Sequence, residues 1–258
     1  MKKKVSIVIC VYNEEKTIVN VVESCHKYNK DAEIIVVDDG SNDSTPALLT
    51  DLEHKISFVH IRLSENTGKS NAMTVGVENA SNEIILFFDS DVSGIKQEHF
   101  EKLLHPLMDK EPEADMVVGS PSETLINYRI NPFKSLTGER ALFRKDILPI
   151  LENIRDIRFG VETYINLYYQ AHGKKIKYII LEGLIHPSRY SKVSMAQATK
   201  EYISEGQEIA QALMKNYDLI IKRISNTFEE RGEKIKETYK RIQTDLNEKI
   251  RLLLRNNR

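Results

Sequence analysis

The stretch EIILFFDSD, residues 83–91, decides which fold the chain is expected to adopt. Its uninterrupted apolar run is typical of a strand that is buried on both faces of a sheet. Two acids, Asp89 and Asp91, follow at a spacing of two, which on an extended strand places both carboxylates on one face, where they repel. A divalent cation removes this repulsion, and carboxylate oxygens are suitable ligands for Mg²⁺ or Mn²⁺. The alternative is a solvated turn in which Asp91 caps the next segment.

On both sides of this stretch, apolar segments typical of strands alternate with segments whose apolar residues recur every three or four positions. Such alternation predicts an α/β fold, with a mostly parallel central sheet and helices on both faces, in one Rossmann-like domain. Strands are predicted at residues 5–12, 33–40, 56–63, 83–91, 114–120 and 174–183, and helices at residues 14–28, 41–53, 71–80, 97–108, 139–151 and 161–173.

Polar residues cluster where four of the predicted strands end. They occupy positions 12–14, 38–41, 66–69 and 89–91. In mostly parallel sheets, ligands bind outside the carboxyl ends of the strands. The sequence therefore predicts a ligand site along this edge of the sheet.

The middle of the chain is the least regular part. Residues 121–137 form a predicted loop that could shape a pocket or move. In the helix that is predicted after it, Arg140 and Arg144 share one face, and surface charge is the simplest interpretation of the pair.

The last quarter of the chain has a helical pattern from about residue 195. We therefore expect a catalytic domain over residues 1–192 and a C-terminal helical extension over residues 193–258. Residues 228–258 form a predicted amphipathic helix. Packing on the domain or on a second subunit of a homodimer is the favoured interpretation, and contact with a membrane surface is the alternative. Glutamates mixed with lysines on the polar face weaken the membrane alternative.

Composition narrows the class of protein. The chain has 258 residues, 37 basic and 38 acidic, and its net charge of −1 gives no general attraction to nucleic acid. No apolar run approaches the ~20 residues of a membrane-spanning helix, and no signal peptide is recognised. The two cysteines, Cys10 and Cys25, have no metal-binding spacing and are predicted to be buried thiols. We expect a cytoplasmic protein, with peripheral membrane contact as an alternative.

Four of the polar motifs resemble those of the family 2 glycosyltransferases, which have the glycosyltransferase A fold. These are VYNEE, VVDDGSNDST, ENTGKSNA and FFDSD, and the resemblance covers residues 5 to about 190. It implies that Asp89-Ser90-Asp91 is the D-x-D motif that holds a metal ion on the diphosphate of a nucleotide-sugar donor. It also implies a nucleotide pocket, with Lys69 facing the base or the diphosphate. The residues expected to line that pocket are Val11, Tyr12, Glu14 and Asp39, with Asp38 beside them.

Two further segments extend the resemblance toward the acceptor. LTGERALFRKDIL, residues 136–148, is similar to the acceptor-side segment of the family, which implies that Gly138 and Glu139 lie near the acceptor or the sugar. RFGVETYIN places Glu162 where the family carries an acid that can act as the general base. The family often has Glu-Asp at this point, whereas this chain has Glu162-Thr163.

The segment LIHPSRY resembles a third feature, found in glucosyl-3-phosphoglycerate and mannosylglycerate synthases. A histidine there is the third protein ligand of the metal, which implies that role for His186 beside Asp91. Arg189 could meet a phosphate or carboxylate of donor or acceptor. Those synthases retain the anomeric configuration, whereas the family 2 interpretation implies inversion, and the sequence leaves both outcomes open.

The predicted function is transfer of a hexose from a UDP- or GDP-linked sugar to a hydroxyl or phosphate acceptor, with Mg²⁺ or Mn²⁺ as cofactor. Asp91 and Glu162 are the predicted catalytic residues. The missing Q-x-x-R-W motif and the lack of spanning segments count against a processive polysaccharide synthase. The alternatives are a nucleotidyltransferase, which would need a glycine-rich loop after the first strand, and a non-catalytic nucleotide-sugar-binding or scaffold protein.

Overall fold

The computed structural model describes residues 3–121, 138–155, 157, 160–186, 218, 219, 222 and 223. The predictions for the loop at 122–137, for Arg189 and for most of the extension after residue 192 lie outside these residues. Within the part that is described, no helix is both long and apolar enough to cross a lipid bilayer.

The first half alternates strands and helices, as the sequence predicts. Its elements are β1 (Val5–Val11), α1 (Ile18–Tyr28), β2 (Glu33–Asp38), α2 (Thr45–Glu53), β3 (Val59–Arg62), α3 (Lys69–Asn79), β4 (Ile84–Phe87), α4 (Gln97–Met108) and β5 (Met116–Pro121). The second half adds β6 (Arg140–Phe143), α5 (Arg144–Ile147), a 3₁₀ turn (Leu148–Ile150), α6 (Leu151–Arg155), α7 (Val161–Ala171) and β7 (Ile176–Leu181).

The strands form one seven-stranded sheet in the order β3-β2-β1-β4-β6-β5-β7. Every neighbouring pair is parallel except the two pairs that include β6, which is antiparallel to both β4 and β5. The prediction of a mostly parallel sheet is therefore confirmed. The parallel strands direct their carboxyl ends to one edge, where loops from β1, β2, β4 and β7 meet.

The prediction of one helix over residues 139–151 is wrong in its first part. Residues Arg140–Phe143 form β6, and helical structure begins only at Arg144. All four residues of β6 are buried, and short apolar segments of this kind fit a strand or a helix equally well. The long-range pairing with β4 and β5 decides the outcome, and it separates Arg140 from Arg144.

Two apolar layers cover the sheet, because successive side chains of a strand point to opposite faces. In β1, Ile7 and Ile9 belong to the layer that includes residues of α1, α2 and α4, whereas Val8 belongs to the layer that includes residues of α3, α6 and α7. Cys25 is fully buried in the first layer, and Cys10 is partly buried beside the second. Both faces of the central strands are covered, which leaves the loops at the strand ends for ligand access.

Candidate active site

Three potential metal ligands meet at the carboxyl edge of the sheet. Asp89, Asp91 and His186 each offer one ligand atom, and these atoms lie within 4.8 Å of one another. The two acids do not lie on β4, which ends at Phe87, but in the turn after it. His186 comes from the segment after β7. The structure thus brings together the three residues for which a metal role was predicted, although His186 follows the two acids by nearly 100 positions in the chain.

The imidazole of His186 lies between acids on both sides. Its Nδ1 is 3.5 Å from Oδ1 of Asp91, and its Nε2 is 3.0 Å from Oε1 of Glu139 and 3.9 Å from Oδ2 of Asp89. Burial lowers the pKa of His186, but hydrogen bonds to Asp91 and Glu139 raise it more, to about 11. Burial raises the pKa of Asp91, but the hydrogen bond and the positive charge of His186 lower it by more, so the pKa lies below its ordinary value.

This donor set fits a divalent cation. Two carboxylates and one imidazole suit Mn²⁺, and the oxygens also suit Mg²⁺. A histidine that binds a metal ordinarily donates its other ring N–H to a carboxylate, which sets the tautomer and the ring orientation. Glu139, which is fully buried, accepts from Nε2 in this way and leaves Nδ1 directed at Asp91.

Gly138 borders the same site through its backbone. A Cβ atom built at this position would overlap with the carboxylate of Asp89. An added methyl group would therefore displace the carboxylate of Asp89 from this position. Ser90, between the two acids of the motif, is largely buried.

Lys69, at the start of α3, links the acid motif to α7. Its Nζ is 2.9 Å from Oδ1 of Asp89 and 3.0 Å from Oε1 of Glu162, and 42% of its side chain is exposed. Glu162 stands in the first turn of α7 and is mostly buried. The ammonium group of Lys69 thus lies between two carboxylates and joins the acid motif to the first turn of α7.

Sequence reasoning missed the role of Arg140. It was expected on a helix surface, but it is fully buried in β6. Its Nη1 donates to the backbone oxygen of Glu162 at 3.3 Å and to Oδ1 of Asn166 at 3.4 Å. These bonds tie the first turn of α7 to the sheet and hold Glu162 beside Lys69. Only the pairing of β6 could have revealed this, because the local sequence fits a helix as well.

The predicted nucleotide side is built around Asp39. Its carboxylate accepts hydrogen bonds from the backbone of Thr67 and of Gly68, both at 2.8 Å, and from the Thr67 hydroxyl at 2.9 Å. Gly68 has a φ of +99°, which a residue with a side chain adopts rarely. Asp39 therefore orders the loop that leads into Lys69.

The remaining predicted pocket residues line the ends of β1 and β2. Asp38 is fully buried, accepts from the backbone N–H of Ser41 at 2.9 Å, and lies 3.5 Å from Nε of Arg62. Val11 is buried, Tyr12 is 41% exposed, and the backbone N–H of Glu14 donates to Thr45.

Asn13, which was not singled out from the sequence, joins these two loops. Its φ is +55°, and its side-chain oxygen accepts from the backbone of Asn42 at 2.8 Å. An asparagine in a polar loop after a strand is the signal that could have found it, because asparagine tolerates this backbone conformation.

The chain is similar to known proteins in sequence and in fold. The model of the family described as Glycosyl transferase family 2 matches residues 6–180. Among curated proteins, the undecaprenyl-phosphate 4-deoxy-4-formamido-L-arabinose transferase of Pectobacterium atrosepticum is 35% identical over 102 residues, which are 37% of this chain and 31% of that protein. The poly-beta-1,6-N-acetyl-D-glucosamine synthase of Staphylococcus aureus is 34% identical over 89 residues, which are 34% of this chain and 21% of that protein. The matched part therefore spans less than a third of either relative.

Among solved structures, the fold is similar to that of glucosyl-3-phosphoglycerate synthase from Mycobacterium tuberculosis. The complex with Mn²⁺, uridine-diphosphate-glucose and phosphoglyceric acid superposes with a TM-score of 0.62 at 19% identity, over 83% of this chain and 79% of that one. At 19% identity, this structural similarity establishes the fold alone.

Proposed function

The chain belongs to glycosyl transferase family 2, and from this premise we propose that it transfers a hexose from a nucleotide-diphosphate sugar to a hydroxyl or phosphate acceptor. The observation that carries the proposal is the convergence of Asp89, Asp91 and His186 at the carboxyl edge of the sheet. Lys69 beside them supplies a positive charge for an anionic donor. The fold similarity to an enzyme that was solved with a nucleotide sugar and Mn²⁺ is consistent with this function.

In this proposal Asp89, Asp91 and His186 hold Mg²⁺ or Mn²⁺. When bound, such an ion neutralises the negative charge that grows on the departing diphosphate. Because the pKa of His186 is about 11 without the ion, metal binding would release the Nδ1 proton to solvent, and the neutral ring would keep Nε2–H on Glu139 and offer Nδ1 as the ligand. Glu139 thereby acts on the metal side of the site, in addition to the acceptor-side role that was predicted for it.

The donor's nucleotide lies along the ends of β1 and β2. Asp39 orders the loop at residues 67–69, and Tyr12 offers an exposed ring to the base. Lys69 meets the diphosphate as a compact cation. The base is uracil or guanine, and we leave this choice to experiment. Val11, Glu14, Asp38 and Ser90 complete the proposed donor site.

Glu162 is the proposed general base, which takes the proton from the attacking hydroxyl if the reaction inverts the anomeric centre. Its Oε1 lies 3.0 Å from Nζ of Lys69, so this oxygen already contacts an ammonium group instead of an acceptor hydroxyl. The role therefore requires Lys69 to turn from Glu162 to the diphosphate when the donor binds. A retaining reaction would need no such base.

The acceptor is a small phosphorylated acid, a polyprenyl phosphate or a cell-surface glycan. Gly138 and Arg189 are the other proposed acceptor-side residues. The similar synthase was solved with phosphoglyceric acid, which makes a small phosphorylated acid the first class to test. A cytoplasmic location, peripheral membrane contact and a homodimer through the C-terminal helices stay predictions, because they depend mainly on residues that the structure does not describe.

Calorimetric titration tests the donor site directly. UDP and GDP are titrated with and without Mn²⁺ into the unchanged protein, into Asp91→Ala, and into Asp51→Ala as a control. Asp51 is an exposed acid on α2, so its removal changes the net charge equally without touching the site. We expect one nucleotide to bind only with Mn²⁺, and we expect this binding to be lost in Asp91→Ala and kept in Asp51→Ala.

Binding of neither nucleotide under any metal condition would contradict the proposal and favour a scaffold protein. Equal binding by the two variants would place the nucleotide elsewhere. If one nucleotide binds, its identity, UDP or GDP, determines which sugar donors are screened with each acceptor class.

A further inference from the structure

The two segments that carry the metal ligands are joined to each other beyond the site. The backbone N–H of Ser93 donates to the oxygen of Ile185, and the N–H of Ile185 donates to the oxygen of Ser93, both at 2.9 Å. This isolated antiparallel bridge lies two residues after Asp91 and one residue before His186. Residues 91–99 and 182–186 therefore form one paired unit, which we call the clasp.

A buried histidine closes the clasp at its other end. His99, in the first turn of α4, is fully buried. Its Nε2 lies 2.9 Å from the backbone oxygen of Glu182, and its Nδ1 lies 3.2 Å from the backbone nitrogen of Lys96. A carbonyl oxygen only accepts and an amide N–H only donates, so these partners select the neutral ring with the proton on Nε2.

Two glycines let the backbones of the clasp approach. A Cβ atom at Gly94 would overlap with the backbone oxygen of Gly183, and both residues have positive φ angles, of +70° and +79°. A side chain at Gly94 would force the two segments apart, whereas a Cβ atom at Gly183 would meet only the end of the Lys96 side chain. The close approach of the two segments therefore depends on the absence of a side chain at Gly94.

We propose that His99 is a positioning residue for the metal site, which acts through the clasp to hold His186 against Asp91. The inference rests on the proposed function, because it assumes that these two residues bind the ion. His99 itself touches neither the ligands nor the ion. The hydrogen bond of Nε2 to Glu182 joins α4 to the turn after β7, and the hydrogen bond of Nδ1 to Lys96 fixes the start of α4. The bridge at Ser93 carries this restraint to the neighbours of both ligands.

The physical consequence concerns affinity for the metal. A ligand on an unrestrained segment must be ordered when the ion binds, and this ordering opposes binding. A ligand that is already in place avoids that cost. Loss of groups that orient metal ligands typically weakens metal binding about 10- to 100-fold, and we expect about tenfold here because His99 acts at a distance.

The first test uses a matched pair of glycines. Gly94→Ala and Gly173→Ala both place a side chain at a positive φ, of +70° and +65°, but a Cβ atom at Gly173 meets nothing within 4 Å. Mn²⁺ binding is measured by the loss of the free-ion signal in electron paramagnetic resonance, with the thermal midpoint recorded in EDTA. We expect about tenfold weaker binding for Gly94→Ala and unchanged binding for Gly173→Ala.

The second test addresses His99. His99→Leu removes both hydrogen bonds, whereas the amide of His99→Gln can still donate to Glu182. Leu107→Ala, a buried change in the last turn of the same helix, serves as a control for loss of stability alone. We expect Mn²⁺ binding to weaken about tenfold in His99→Leu, to recover in large part in His99→Gln, and to stay unchanged in Leu107→Ala.

The outcomes separate this inference from the proposed function. No Mn²⁺ binding by the unchanged protein, or binding that persists in Asp91→Ala, overturns the metal site and the inference together. Binding that needs Asp91 but is the same in His99→Leu, Gly94→Ala and the unchanged protein overturns the inference alone. If His99→Leu does not fold, the glycine pair tests the restraint by the clasp and His99→Gln tests His99: Mn²⁺ binding equal to that of the unchanged protein in Gly94→Ala overturns the inference, as does a loss of binding in His99→Gln as large as in Asp91→Ala.

Discussion

At the scale of single residues, the missing side chain of Gly138 shapes the metal site as directly as the acids do. The backbone passes so close to Asp89 that a methyl group would occupy the space of its carboxylate. Lys69 holds the other side of the same acid at 2.9 Å. Asp89 is therefore confined between a backbone and an ammonium group, which limits the directions from which it can bind an ion.

Replacing Gly138 with alanine tests this confinement. We expect Gly138→Ala to push Asp89 out of place and to weaken Mn²⁺ binding by at least about tenfold, the range seen when metal ligands are mispositioned. Electron paramagnetic resonance titration of Mn²⁺ measures the effect, with Gly173→Ala as the control. Unchanged affinity in Gly138→Ala would show that Asp89 can bind from another rotamer, or that it does not bind the ion.

At the scale of elements, two packing features decide how the sheet is completed. The strand β6 enters antiparallel between β4 and β5 and carries Arg140 beneath α7. On the same side of the sheet, α3 lies against β1 so closely that a Cβ atom at Gly76 would overlap with the side chain of Val8. This approach places the start of α3, and with it Lys69, at the edge of the sheet.

A substitution at Gly76 measures how tightly α3 is packed. Alanine favours a helix over glycine by about 1 kcal/mol, so a loosely packed helix would be stabilised by Gly76→Ala. We expect the opposite, a loss of about 1–3 kcal/mol in the free energy of unfolding, because the added methyl group overpacks the interface. Urea unfolding gives this value.

The double variant Gly76→Ala/Val8→Ala provides the control. Shortening Val8 removes the atoms that the new methyl group would meet, so the two changes together should cost less than the sum of their separate effects. Strict additivity would argue against direct contact between α3 and β1 at this point.

At the scale of the whole molecule, loops that are far apart in sequence meet at one edge because the parallel strands all end there. The candidate site takes residues from the ends of β1, β2, β4 and β7 and from the starts of α3 and α7. A ligand that contacts several of these loops is held by residues that follow different strands of the sheet. Binding should therefore stabilise the described domain as a unit.

Thermal unfolding tests this coupling. With Mn²⁺ and the preferred nucleotide at about 100 times the dissociation constant, binding adds about 2.7 kcal/mol, which corresponds to a rise in Tm of about 5–10 °C for a chain of this size. Differential scanning fluorimetry measures the rise, which we expect to vanish in Asp91→Ala and to persist in Asp51→Ala. A rise that survives in Asp91→Ala would place the stabilising site elsewhere.

Much of the fold and part of the site follow from local patterns. Apolar runs such as that of β4 predict buried strands because burial on both faces excludes polar side chains. The acids Asp89 and Asp91 could be recognised as candidate ligands because like charges at a strand end need a counter-charge. The sequence argument placed both acids on one face of an extended strand, however, whereas both lie in the turn after β4.

By itself, the sequence determined the alternation of strands and helices, the mostly parallel sheet and the edge at which polar residues gather, because these depend on periodicity and on strand ends. Only the tertiary structure decided that residues 140–143 form a strand, that Arg140 supports Glu162, and that Glu139 pairs with His186. These features depend on contacts between residues that are distant in the chain. Their local sequence fits more than one structure, and the free energy of long-range pairing and packing selects among them.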